Sequence, residues 1–79
     1  MALITKDNIK KIDKDRNCVH SKVMATYTTF ISGGKTYFQI DTYGSPNREL
    51  KDKISQSIQV DKETAKELIK IMMDTFDIL

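Results

Sequence analysis

Two side chains in this 79-residue chain could form a nucleophile and base pair: Cys18 and His20, its only cysteine and only histidine. A working thiol nucleophile needs a base and an oxyanion-stabilising group held around the reacting atom. Two residues apart on an extended segment, Cys18 and His20 share a face, but the sequence marks no third partner, so the pair reads as incidental. Zinc asks for more ligands than one Cys and one His supply, and a single cysteine forbids an intrachain disulfide. Asp41 is a lone carboxylate in a strand-like run and reads as a partner for a nearby cation rather than a general base. Gly33-Gly34 lacks the spacing and the following helix of a phosphate-binding loop. The expectation is a non-enzymatic protein with no metal and no cofactor.

The informative chemistry lies in Tyr37-Phe38-Gln39-Ile40-Asp41-Thr42-Tyr43, then Arg48, Lys51 and Lys53, then Ser55-Gln56-Ser57-Ile58-Gln59-Val60. Rings, amides and hydroxyls alternate with apolar residues, and the intervening loop adds cations. Rings stack on unpaired bases while cations follow the phosphates, which is how a surface for single-stranded nucleic acid is built. The other reading is a small protein-interaction module, a regulator or inhibitor that docks on a larger protein. Cation placement separates the two. A nucleic-acid surface gathers Lys35, Arg48, Lys51 and Lys53 beside Tyr37 and Tyr43, whereas an interaction module has no need to.

Those residues must be held by a framework, and its pattern is β-β-β-α. Residues 1–18 read as an arm, because Ile4, Ile9 and Ile12 have no clean period; one short strand or helical turn is allowed for. Residues 19–79 read as a single domain. From Val19 to Ile31, β-branched and aromatic types dominate, with Val23, Ala25, Tyr27 and Ile31 on one face. Ser32-Gly33-Gly34-Lys35 predicts a hairpin turn. The next strand spans Lys35 to Tyr43, with Thr36, Phe38 and Ile40 facing a core and Tyr37, Gln39, Asp41 and Tyr43 facing outward. Gly44 to about Lys53 reads as loop. A third strand follows from Ile54 to Val60. Asp61 is placed to cap a helix over Lys62 to Phe76, whose stripe is Ala65, Leu68, Ile69, Met72 and Phe76. The predicted fold is therefore α+β: an antiparallel sheet of three to four strands with the C-terminal helix packed on one face.

A chain this short buries a small share of its surface, and without disulfide or metal it needs another source of stability. Ile71, Met73 and Leu79 are left over from the helix stripe. They predict a homodimer in which these residues meet their own copies. Charge is uneven along the chain: lysines and Arg16 outnumber acids in residues 1–22, and acids prevail from Asp61 onward. An anionic partner would prefer the first part. No apolar run approaches the roughly 20 residues of a membrane helix, and the first residues lack the pattern of a signal peptide. A cytoplasmic protein with no membrane contact is the expectation.

The order of these motifs resembles the positive-cofactor-four coactivator core and its small bacterial relatives. The matching text is Tyr37-Phe38-Gln39-Ile40-Asp41-Thr42-Tyr43, Pro46, Lys51 and Lys53, Ser57-Ile58-Gln59-Val60, and Asp61 opening the helix, within a span from Val23 to Phe76. The resemblance implies a dimer of a four-stranded antiparallel sheet and a helix, with single-stranded DNA bound on the sheet side away from the helices; the residues by themselves fit single-stranded DNA or RNA alike. Carried over by position, the contacts are Lys35, Tyr37, Tyr43, Arg48, Lys51 and Lys53. Lys22, the other lysine in a predicted strand, completes the candidate set. The third strand begins Ser-Gln-Ser where that family usually has Lys-Gly.

Overall fold

A computed structural model describes residues 1–44 and 53–78. Its organising feature is a two-residue hairpin. Gly33 and Gly34 take φ of 57° and 78°, the left-handed pair of a turn whose twist matches the strands it joins. That turn closes β2 (Ala25–Ser32) onto β3 (Lys35–Tyr43), in register from Ser32 opposite Lys35 to Ala25 opposite Thr42. The extended run from Val19 enters the sheet only at Ala25; residues 19–24 lie outside the strand.

Strand β4 (Ile54–Val60) pairs antiparallel with β3, Ile40 opposite Ile58 and Phe38 opposite Val60. The register shifts between Thr42 and Tyr43, so Tyr43 falls opposite Ile54. A fourth strand, β1 (Ala2–Ile4), comes from the N-terminal segment and runs parallel to β4, giving the order β1-β4-β3-β2. The sheet is therefore mixed, and the expectation of an all-antiparallel sheet is corrected at this edge. A tight turn forces β2 and β3 to run antiparallel. The long connection from Thr5 to Met24 imposes no direction on β1. That connection opens with one 3₁₀ turn, Lys6–Asn8, in which the Asn8 amide donates to the Thr5 carbonyl at 2.9 Å.

Helix α1 (Lys62–Phe76) starts where the sequence predicts. The Asp61 carboxylate accepts the Thr64 amide at 2.9 Å. At the other end Asp77 turns left-handed at φ 54°, and the Ile78 amide donates to the Met73 carbonyl at 3.0 Å, a six-to-one closure that stops the helix. Among the described residues, no helix is long and apolar enough to cross a membrane.

Alternation sorts the sheet into two faces. One carries Ile4, Ala25, Tyr27, Ile31, Phe38, Ile40, Ile58 and Val60; the other carries Thr26, Thr28, Phe30, Tyr37, Gln39, Asp41, Ser57 and Gln59. The helix was expected to close over the first face. It leaves that face open: Ile40 and Ile58 are 41% and 40% exposed, and Met72 and Phe76 on the helix are 49% and 69% exposed. Among the described residues no apolar side chain is buried; the two buried residues are Asp41 and Thr64. The chain exposes 7371 Å², whereas a folded monomer of 9.1 kDa exposes roughly 4,900 Å². Its radius of gyration is 14.6 Å against roughly 11.6 Å for a compact chain of this length.

Candidate binding surfaces

The polar face is built from three linked contacts. Gln39 and Gln59 sit opposite each other on β3 and β4, and Gln59 Nε2 donates to Gln39 Oε1 at 2.7 Å. Gln39 Nε2 then donates to Asp41 Oδ1 at 2.9 Å, one pleat along the same strand. Ser57 Oγ, opposite Asp41, donates to the same carboxylate oxygen. Asp41 is only 7% exposed, and both donors converge on one of its two carboxyl oxygens. The result is a fixed polar ladder across the centre of the sheet.

Rings flank the ladder. Phe30 stacks on Tyr37, directly opposite it, with centroids 5.4 Å apart and planes 23° from parallel. Toward the other end, the Tyr43 hydroxyl and the Thr26 hydroxyl lie 3.1 Å apart in a hydrogen bond. Both tyrosines are half-buried. Phe30 was not among the residues singled out from the sequence. The signal for it was its even spacing from Thr26 and Thr28, which puts it on the outward face.

Among the described residues, the candidate cations stand at opposite ends of the sheet, Lys35 two positions before Tyr37 on the same strand and Lys53 next to Ile54, the partner of Tyr43. Lys35 lies at the hairpin end, in a cleft of about 350 Å³ with Gly34, Thr36, Asp61, Lys62 and Glu63. The Thr64 side chain and its amide hold the Asp61 carboxyl below its ordinary value, and the charge of Lys35 lowers it further. Lys53 sits at the opposite end, one residue before β4, and the span from Lys35 to Tyr43 along an extended strand is roughly 27 Å. Lys22 is exposed in the segment before β2. Arg48 and Lys51 lie outside the described residues, as does Leu79. Between the described cations, the middle of the face is the Asp41 carboxylate and its amides.

The apolar face has a different character. Tyr27 stacks on Phe38 with centroids 5.4 Å apart and planes 18° from parallel, and Tyr27 is 70% exposed. Where the helix leaves the sheet, Thr29, Thr36, Phe38, Val60 and Ala65 line an apolar cleft of about 360 Å³. Ile69, Met72 and Phe76 form one exposed stripe along the helix. Ile71 is exposed and Met73 half-buried, and two helical positions put them about 200° apart, so they do not share one patch. Cys18 is an exposed free thiol, and it and His20 both lie outside the strands.

These features define an α+β domain with one polar, hydrogen-bonded sheet face and one open apolar face. No family model, no curated protein and no solved structure matches the chain.

Proposed function

We propose that the chain is a non-enzymatic protein-interaction module whose apolar sheet face is completed by another protein surface. A single observation carries this reading: every large apolar side chain of that face stays in contact with solvent. Phe38, Ile40 and Ile58 are each more than a third exposed on the central strands, where a monomeric fold would bury them. Contiguous apolar surface of this kind marks a contact site. The difference of roughly 2,500 Å² from a compact monomer exceeds the roughly 800 Å² per partner of a standard interface. Part of that difference belongs to the exposed connection before β2. The test is hydrodynamic: sedimentation of the intact protein, alongside binding of the dye anilinonaphthalene sulfonate. An associated species with little dye binding agrees with the reading. A compact monomer that binds no dye contradicts it.

A second reading, a single-stranded DNA- or RNA-binding face, is favoured by the Phe30 and Tyr37 ring pair on the polar side. Half-exposed rings there offer stacking surfaces for bases. Against it stand the carboxylate at the centre of that face and the position of Lys35 beside Asp61. Fluorescence anisotropy with labelled oligo-dT, compared with duplex of equal length, tests it directly. Absence of binding at low salt removes this reading and leaves the first intact.

A further inference from the structure

We propose that the surface covering the apolar sheet face is helix α1 of a second copy, and that the exchange is reciprocal. This inference rests on the protein-interaction reading and names its partner. One chain presents two apolar surfaces that lack a cover: the β2-β3-β4 face around Tyr27, Phe38, Ile40 and Ile58, and the helix stripe Ile69, Met72 and Phe76. Three two-fold arrangements would bury some of this area. Sheet against sheet leaves the helix stripe in water. Helix against helix leaves the sheet face in water. Helix against sheet, repeated by the two-fold axis, covers both surfaces in one closed contact. The two surfaces also suit each other in kind, since a helix stripe about 100° wide is what packs against an apolar sheet face.

The junction after β4 permits this arrangement. Asp61 caps the helix at the sheet end, and the helix departs so that Ala65 and Phe38 line a cleft instead of closing it. That apolar cleft is an entry point for side chains of the incoming helix. These two faces hold only part of the roughly 2,500 Å² by which the chain exceeds a compact monomer, and a stable dimer needs about 800 Å² per partner.

The experiment uses the full chain with Cys18→Ser as background. Ile58→Cys and Met72→Cys are prepared separately, mixed under conditions that allow subunit exchange, and oxidised with diamide. The expected result is a disulfide between an Ile58→Cys chain and a Met72→Cys chain, in yield well above either self-pair. Sedimentation of the unmodified protein is expected at twice 9.1 kDa. If either variant fails to fold, Ile40→Cys with Phe76→Cys repeats the measurement on the same two surfaces. Preferred self-pairing of Ile58→Cys, or of Met72→Cys, overturns the helix exchange while the protein-interaction reading stands. A 9.1 kDa monomer that binds the dye overturns the second copy as partner and keeps an open docking face. A monomer that binds no dye overturns both.

Discussion

Gln59 donates to Gln39 across the β3–β4 pair at 2.7 Å, and Gln39 passes the chain on to Asp41 at 2.9 Å. Their energies are therefore coupled. Gln39→Ala and Gln59→Ala are each expected to cost about 0.5–1.5 kcal/mol, and the double variant less than their sum. Asp41→Ala is expected to cost about 1–3 kcal/mol, because it strands two donors in a half-buried site. Urea denaturation of the parent protein and these four variants decides this. Strict additivity of the two glutamine variants would show that the bond contributes nothing.

The hairpin makes a sharper test of backbone geometry. A side chain added at Gly33 or Gly34 meets no heavy atom within 4 Å, so any cost there comes from the positive φ alone. Gly34→Ala is expected to destabilise by about 1–2 kcal/mol. Gly33→Asn should be milder, since asparagine tolerates the left-handed region. Thermal melts showing equal loss for both would point away from a turn of this type.

Acid sensitivity should trace in part to Asp61. Its carboxyl titrates below the ordinary 3.8 in the folded chain, through the Thr64 side chain and amide first. A depressed native value means the stabilisation is complete above the unfolded value and is lost as pH falls through the lower native one. Asp61→Asn keeps an oxygen to cap the helix but removes the titration. Melting temperatures followed from neutral pH down to about pH 2 should fall less steeply for that variant. Parallel curves would remove Asp61 from the acid limb.

Should the polar face take single strands, rings and cations will respond to salt differently. Tyr37→Ala is expected to weaken binding by about 1–3 kcal/mol with the salt slope unchanged. Lys53→Ala should flatten the slope of log K against log salt by about 0.7. The measurement is anisotropy over a salt series. A slope change on losing Tyr37 would contradict stacking as its role.

Strand β2 forms the outer edge of the sheet, and its sequence Ala-Thr-Tyr-Thr-Thr-Phe-Ile-Ser carries no charge and no proline. Counting back from the Ser32–Lys35 closing pair, the amides and carbonyls of Ala25, Tyr27, Thr29 and Ile31 point away from β3. Such an edge invites pairing with other chains. Thr28→Lys on the polar face should raise the concentration at which the protein precipitates, with a stability change within about 0.5 kcal/mol. Unchanged precipitation would mean that the edge is already protected.

What the sequence determined is local. Two successive glycines between alternating runs specify the hairpin. The period-two pattern from Lys35 to Tyr43 and from Ile54 to Val60 specifies strands and their faces. Asp61 ahead of a 3.6-residue repeat specifies where the helix begins. Each signal depends on neighbours a few residues away, so it is written in the order of the residues. The tertiary structure alone decided how distant pieces meet. Ala2-Leu3-Ile4 is too short to carry a pattern, and its parallel pairing with β4 depends on a contact more than fifty residues distant. Phe30 came to lie against Tyr37, and Gln59 against Gln39, because register across strands follows from turn length and pairing. The angle at which the helix leaves Asp61 is likewise absent from the apolar stripe. A stripe states that one face wants cover, and it is silent on whether the cover comes from the same chain.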